Sequence, residues 1–406
     1  MIDVRDRIHR GRMTPALLVT VLVAAVVPAL PGAASAQALT GGARQWRFVA
    51  VPPVKGTGLL HAVAVRSAAD GWAVGWTTHP DTGATAGLAE HWNGTSWQAV
   101  PTPAPAGTEL QLSDVDVVPG GDAIAVGSER SAGVTVPRIE RYPAAGGPGE
   151  AMPGPEPAVP GSWQGIDLES ATDGWAVGRT APSIPGQPVR TMIAHWDGAG
   201  WTRVPSPSPG TLSSGLTAVT AVGPGDAWAV GQVRDTSAPA VDEALVLHWD
   251  GVSWSRVAGP APSPDGTTLL GVAAGGPGEI WAAGRTGPAE RPRAVALRRT
   301  PAGWQELRST QPSATQFSDV AVVAPDDVVL AGYRVPFTEE TVNIEHWSGA
   351  GLQPDTDAAG PTGDDHLASA LSGIAAAPDG GRLWAVGWAT TVTQPAMQPG
   401  TLLSDH

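Results

Sequence analysis

The chain of 406 residues contains no cysteine. That excludes a disulfide-stapled scaffold, a cysteine-ligated metal, a cysteine nucleophile and a lipid-modified N-terminal cysteine. Lys55 is the single lysine among 24 basic residues, and the net charge is −14. With no basic tract anywhere, this balance argues against a nucleic-acid partner. Phe (3) and Tyr (2) are scarce. Beyond the first 36 residues no apolar run approaches the roughly 20 residues that a membrane-spanning helix needs.

What is present is equally uneven. Seventeen tryptophans argue against disorder and, set beside so few other aromatics, point to one repeated motif. Gly (52) and Pro (40) are abundant. Together with arginine in place of lysine, this usage fits a GC-rich bacterial genome. At the start, Arg5, Arg7, Arg10 and Arg12 precede an apolar run at 15–30 and an A-x-A site at Ala34-Ser35-Ala36. This pattern predicts a secretory signal peptide over residues 1–36. Its removal would move the net charge from −14 to −16, since four arginines and two aspartates leave with it. A short linker, 37–44, would follow, and the product would be secreted with no membrane insertion.

The remainder is one repeat. The string WAVG stands at 72–75, 175–178, 228–231 and 384–387, with degenerate copies at 124–127 (IAVG), 281–284 (WAAG) and 329–332 (VLAG). Successive copies lie 48 to 55 residues apart. A second motif follows: HWNGTSW at 91–97, HWDGAGW at 195–201 and HWDGVSW at 248–254, weaker at 299–304 and 346–352. Proline-rich segments close three units at 101–105, 205–209 and 260–264.

Each unit reads as four short antiparallel strands. An alternating strand such as LHAVAV (60–65) leads through a turn at Asp70-Gly71, Gly225-Asp226 or Asp379-Gly380, where positive φ is expected. The WAVG strand follows, then a third strand, an Asn-Gly or Asp-Gly hairpin, and a fourth strand opened by Trp. Seven such units predict an all-β fold: a seven-bladed β-propeller over residues 45–406. The seventh unit lacks a fourth strand, whereas QWRFVAVP (45–52) matches one with nothing before it. The N-terminal strand is therefore expected to complete the last blade and close the ring. Motif tryptophans are expected to pack between blades, each indole N–H finding a partner.

The order of a glycine-ended second strand, an aromatic-D-G turn and a Trp opening the fourth strand resembles the kelch repeat, across about 45–404. Here one glycine (Gly75, Gly178, Gly231) stands where kelch has two, and His-Trp-Asp/Asn-Gly replaces Tyr-Asp. The resemblance is to a divergent, secreted bacterial kelch-like propeller, similar to the central domain of galactose oxidase. It implies binding of proteins or sugars, with oxidase chemistry in a minority. Oxidase chemistry of that kind needs a Cys cross-linked to Tyr. The chain has no Cys, and its tyrosines are Tyr142 and Tyr333. A sialidase-type site would need a Tyr nucleophile among arginines and an acid, and no ordered motif supplies it.

His91, His195, His248 and His346 invite a metal reading. They occupy equivalent positions in four blades, so a structural role is expected and no metal or other cofactor is assigned. Asp355, Asp357, Asp364, Asp365 and His366 match no calcium loop and read as a solvated acidic link. No catalytic residue is assigned. Ligand-binding residues are sought where the repeat varies. After the WAVG glycine the chain carries Trp76, Ser128, Arg179, Gln232, Arg285, Tyr333 and Trp388 through blades one to seven. In a closed ring Tyr333, Trp388 and Trp76 form an aromatic arc, and Arg179, Gln232 and Arg285 form the opposite arc. The expected function is a non-enzymatic, monomeric binding module for a glycan, an acidic surface polymer or an extracellular protein. An extracellular hydrolase or lyase and an envelope scaffold are the alternatives, marked respectively by a pocket with perturbed carboxylates and by an exposed apolar patch.

Overall fold

The computed structural model describes residues 44–405, apart from 183, 185, 237–240, 277, 312, 313, 336–341, 356–365, 379 and 392–395. The signal-peptide reading, and the linker reading up to residue 43, lie outside the described residues. Seven four-stranded antiparallel sheets are arranged as blades. Blade one is built from Thr57–Ser67, Asp70–Thr78, Thr85–Trp92 and Trp97–Val100, each strand pairing with the next. Blades two to six repeat this order over 109–151, 161–204, 213–256, 267–308 and 315–354. Blade seven takes His366–Ala376, Arg382–Thr391 and Gln398–Asp405 from one end of the chain and Gln45–Val49 from the other. The pairing of the last two runs from Gln45 opposite Asp405 to Val49 opposite Thr401. The first strands of all seven blades contact one another in sequence, and the first strand of blade seven contacts that of blade one. The ring is closed.

One device recurs in every blade. The first and second strands slip register by one residue at Leu60/Ala62, Leu112/Asp114, Trp163/Gly165, Leu216/Ala218, Leu269/Gly271, Phe317/Asp319 and Leu371/Gly373. Each slip is a β-bulge, an extra residue that bends the inner strand. The WAVG glycine sits opposite it. A Cβ on Gly75 would stand 2.0 Å from the Leu59 carbonyl oxygen, and one on Gly387 would stand 1.9 Å from that of Ala370. The repeat's most regular glycine is thus demanded by a neighbouring strand, not by a turn.

The turns differ in part from expectation. Positive φ occurs at Gly380 but not at Gly71 or Gly225. Gly71 lies inside the second strand of blade one, where Asp70 opens the strand. The Asn-Gly and Asp-Gly signals do mark the outer hairpins, with φ of +92° at Gly94 and +89° at Gly251. Their first residue also caps the turn. Asn93 Oδ1 accepts the N–H groups of Thr95 and Ser96, and Asp250 Oδ1 those of Val252 and Ser253. These bonds lower the Asp250 carboxyl below its ordinary value.

The core is a set of layers between blades. Trp72 packs against Tyr142 of blade two, Trp175 against Trp249 and Trp254 of blade four, and Trp384 against Trp92 and Trp97 of blade one. Many indoles donate hydrogen bonds, among them Trp92 to Ala68 O and Trp46 to Asp355. The expectation that every indole N–H finds a partner fails. Trp97, Trp163, Trp201, Trp254, Trp347 and Trp384 reach no protein acceptor among the described residues. Trp97 and Trp254 instead meet a neighbouring indole edge to face, at 5.1 Å between centroids. That geometry is favourable in itself.

Candidate functional site

The upper face is where second strands end and the links between blades run. The seven variable residues occupy one register position there, each following the glycine opposite a bulge. Arg179 is exposed, and Trp76, Ser128, Gln232, Arg285, Tyr333 and Trp388 are half-buried. Blades six, seven and one adjoin, so Tyr333, Trp388 and Trp76 stand on consecutive blades. Trp76 is anchored toward the axis: its Nε1 donates to Nε2 of His61, the bulge residue of the same blade, at 3.3 Å. That bond requires a neutral imidazole, and burial pushes the His61 pKa below its ordinary value. Trp388 lines a small cleft with Phe48, Leu371 and Gly400.

The two arcs are not separate. Burial raises the Tyr333 phenol, and the nearby Arg285 guanidinium opposes that rise. The cationic run therefore starts beside the aromatic one, at the junction of blades five and six. Arg179 lies against the backbone of blade four at Gly215. Arg130 and Arg234 are committed to rim ion pairs with Glu109 and Asp242.

Sequence reasoning missed the residues of the hub. Asp114, Asp116, Asp167 and Asp319 lie on first strands and reach across to the next blade. Their Oδ2 atoms accept the N–H groups of Ile166, Leu168, Ala221 and Ile374 at 2.7–3.0 Å. In three of them Oδ1 also accepts the N–H of the following residue. Desolvation raises all four. Asp114 is pushed up to about 8, Asp167 and Asp319 to about 6, and Asp116 well above the usual range, with neighbouring carboxylates adding to the rise in Asp114, Asp116 and Asp167. These aspartates staple adjacent blades. Each falls at an alternate position of a strand, and none recurs at one place in all units, so no motif exposes them.

The histidines lie on the lower face, where the tight turns are. His91, His195 and His248 each bond the acid that opens the second strand of their own blade: Asp70 at 2.8 Å, Asp173 at 2.6 Å and Asp226 at 2.9 Å. Each also stacks on its blade's Trp at 4.2–4.6 Å. Among the described residues no group of three or more His, Asp or Glu is placed to hold a metal ion. Asp355 corrects the acidic-link reading, for it is buried and its Oδ2 accepts the Trp46 indole N–H at 2.9 Å. Asp357, Asp364 and Asp365, and the side chain of His366, lie outside the described residues. Among the described residues, the exposed large apolar side chains Phe48, Ile184 and Val252 belong to different blades, and Val134 and Val136 share one strand of blade two.

No family model and no curated protein matches the chain. Solved structures do. The GH74 xyloglucanase of Xanthomonas campestris aligns with a TM-score of 0.51 at 16% identity, over 86% of this chain and 54% of that one, so this chain spans about half its length. A polysaccharide lyase of family PL25, an ulvan lyase, aligns with a TM-score of 0.51 at 11% identity, over 86% and 95% of the two chains. The β-propeller domain of the Trilobed protease of Pyrococcus furiosus aligns with a TM-score of 0.51 at 9% identity, over 86% and 94%. At such identities the likeness is one of fold. The chain is a seven-bladed β-propeller closed by its N-terminal strand.

Proposed function

We propose that the protein is an extracellular binding module that takes a glycan on its upper face. One observation carries this reading: three half-buried aromatic side chains, Tyr333, Trp388 and Trp76, stand at the same register position on three consecutive blades. Aromatic faces pack against the C–H faces of sugar rings. Arg285 beside Tyr333, and Arg179 farther round, add donors suited to carboxylate or sulfate groups on such a polymer. Xyloglucanase and ulvan lyase, which resemble this chain in fold, act on polysaccharides by their names. The test is a glycan array followed by calorimetry on the hits. Trp76→Ala and Trp388→Ala are each expected to weaken binding at least tenfold, and Arg179→Ala to weaken acidic glycans alone. Unchanged binding of every hit by both tryptophan variants would refute the upper face as the site.

A hydrolase or lyase on the same ring is the second reading. It is favoured by the carboxyls of Asp114 and Asp167, raised to about 8 and about 6 near the axis. A raised carboxyl is what a general acid requires. Their engagement with backbone N–H groups speaks for stapling instead. Product release from a bound glycan, abolished in Asp114→Asn without loss of the fold, would establish catalysis.

A further inference from the structure

On the lower face the second-strand tryptophans of blades one, three and four stack on an imidazole of their own blade. Those of blades one, three, five and seven meet the last residue of the next blade's third strand. That last residue is Trp92, Tyr142, Trp196, Trp249 or Trp347 in five of the blades. Trp92, Tyr142, Trp196 and Trp347 are buried, and Trp249 is half-buried.

Other junctions are filled, one by the next blade's hairpin and two by an arginine of the blade that carries the Trp. At the first, Gly146 in the long hairpin of blade two lies against the ring of His91, whose side chain is 13% exposed. At the fifth, the Arg298 guanidinium sits 5.4 Å from the Trp281 ring and 5.7 Å from that of Trp347. At the seventh, Arg382 reaches Ala68 O at 3.1 Å. Between blades three and four the hairpin at 250–253 is a short capped turn, and the His195 side chain is 32% exposed. What remains is a cavity of about 440 Å³ lined by Asp173, His195, Trp249, Thr172, Ser170 and Pro224, with the edge of Trp175 behind. This volume lies within the roughly 300–1,000 Å³ of small-molecule sites.

We propose that this junction is a second ligand site, distinct from the upper face, which takes one pyranose ring of a neutral oligosaccharide. Trp249 supplies an apolar wall for ring C–H groups. With the His195 Nε2–H given to Asp173, the free oxygen of that carboxylate and the His195 Nδ1 both accept from vicinal hydroxyls, and Ser170 and Thr172 add two more hydroxyl partners. The Asp173 carboxylate disfavours an anionic sugar. The site is independent of Trp76, which stands on the opposite face.

The experiment is calorimetry on the full chain with cellohexaose, maltohexaose and mannohexaose. At least one is expected to bind. Thr172→Arg places a long side chain in the cleft from an exposed position, as Arg382 does at the seventh junction. It is expected to weaken that binding at least tenfold with the thermal unfolding midpoint unchanged. Trp249→Ala, which also loses packing against Trp175, is expected to weaken binding as much with some loss of stability. Trp76→Ala is expected to leave binding intact. The proposal is overturned if none of the three sugars binds. It is equally overturned if Thr172→Arg binds like the parent chain, or if only Trp76→Ala weakens binding; that last result would support the upper-face reading by itself.

Discussion

Glu90 offers the sharpest test of how the blades are joined. It lies on the third strand of blade one opposite Ala73, which packs against blade seven. It is 0% exposed, and neither carboxylate oxygen has a partner among the described residues. The equivalent acid in blade six, Glu345, is satisfied by the Ser309 hydroxyl and the Thr310 N–H, five and six residues after Trp304. Counting likewise from Trp46 reaches Val51, which has no hydroxyl, and Pro52, which has no N–H to give. Burial therefore pushes the Glu90 carboxyl up to about 8. The folded ring holds this proton more tightly than the unfolded chain, so the group's contribution is greatest at low pH. It is lost as pH rises from about 4.5 to about 8. At about 1.36 kcal/mol per unit, the loss between pH 4.5 and pH 7 is about 3 kcal/mol. Leaving a buried carboxyl unpaired costs about 1–3 kcal/mol more. Leucine occupies the same place in blades four, five and seven (Leu247, Leu297, Leu402), so Glu90→Leu has a fitting shape. Urea unfolding at pH 5, 6, 7 and 8 should show the variant more stable throughout, with the gain growing by about 1 kcal/mol per unit up to pH 8. Parallel pH profiles for the two proteins, or a variant less stable at pH 7, would refute the reasoning.

Other outcomes follow from the same geometry. Gly231→Ala sets a Cβ 2.1 Å from the Gly215 carbonyl oxygen and is expected to cost about 3 kcal/mol or more, read by urea unfolding. Asp319→Asn removes a carboxyl raised to about 6, and so flattens the fall in stability between about pH 4 and pH 6. The side chain is half-buried, so the difference is at most about 2 kcal/mol. Trp46→Ala empties a buried indole site in the closing strand and breaks its bond to Asp355. A loss of about 3–5 kcal/mol is expected, with protease cutting concentrated near blade seven.

Much of this architecture was readable in advance because a propeller writes its unit seven times. The tryptophans, the glycine and the outer hairpin recur at one spacing, and the unpaired QWRFV segment had one vacancy to fill. What repetition did not reveal is whatever differs between units. Asp114 and Asp319 bond forward to the N–H of Ile166 and Ile374, and their counterpart in blade one is Ala62. Only the meeting of two strands far apart in sequence defines that contact. Gly75 was visible as a motif residue, but the reason for it lies in the bulge at His61, on another strand. The register of Trp76, Tyr333 and Trp388 was legible. Their support, His61 under Trp76 and Arg285 beside Tyr333, was not.

The pairing of Gln45 with Asp405 brings the first and last strands to a single point on the lower rim. Anything attached before Gln45 or after Asp405 would depart side by side from the edge of blade seven. A tether fixed there would hold the disk by one corner and present the aromatic arc outward. The cleft between blades three and four, across the ring from that corner, would look back toward whatever surface carries the anchor.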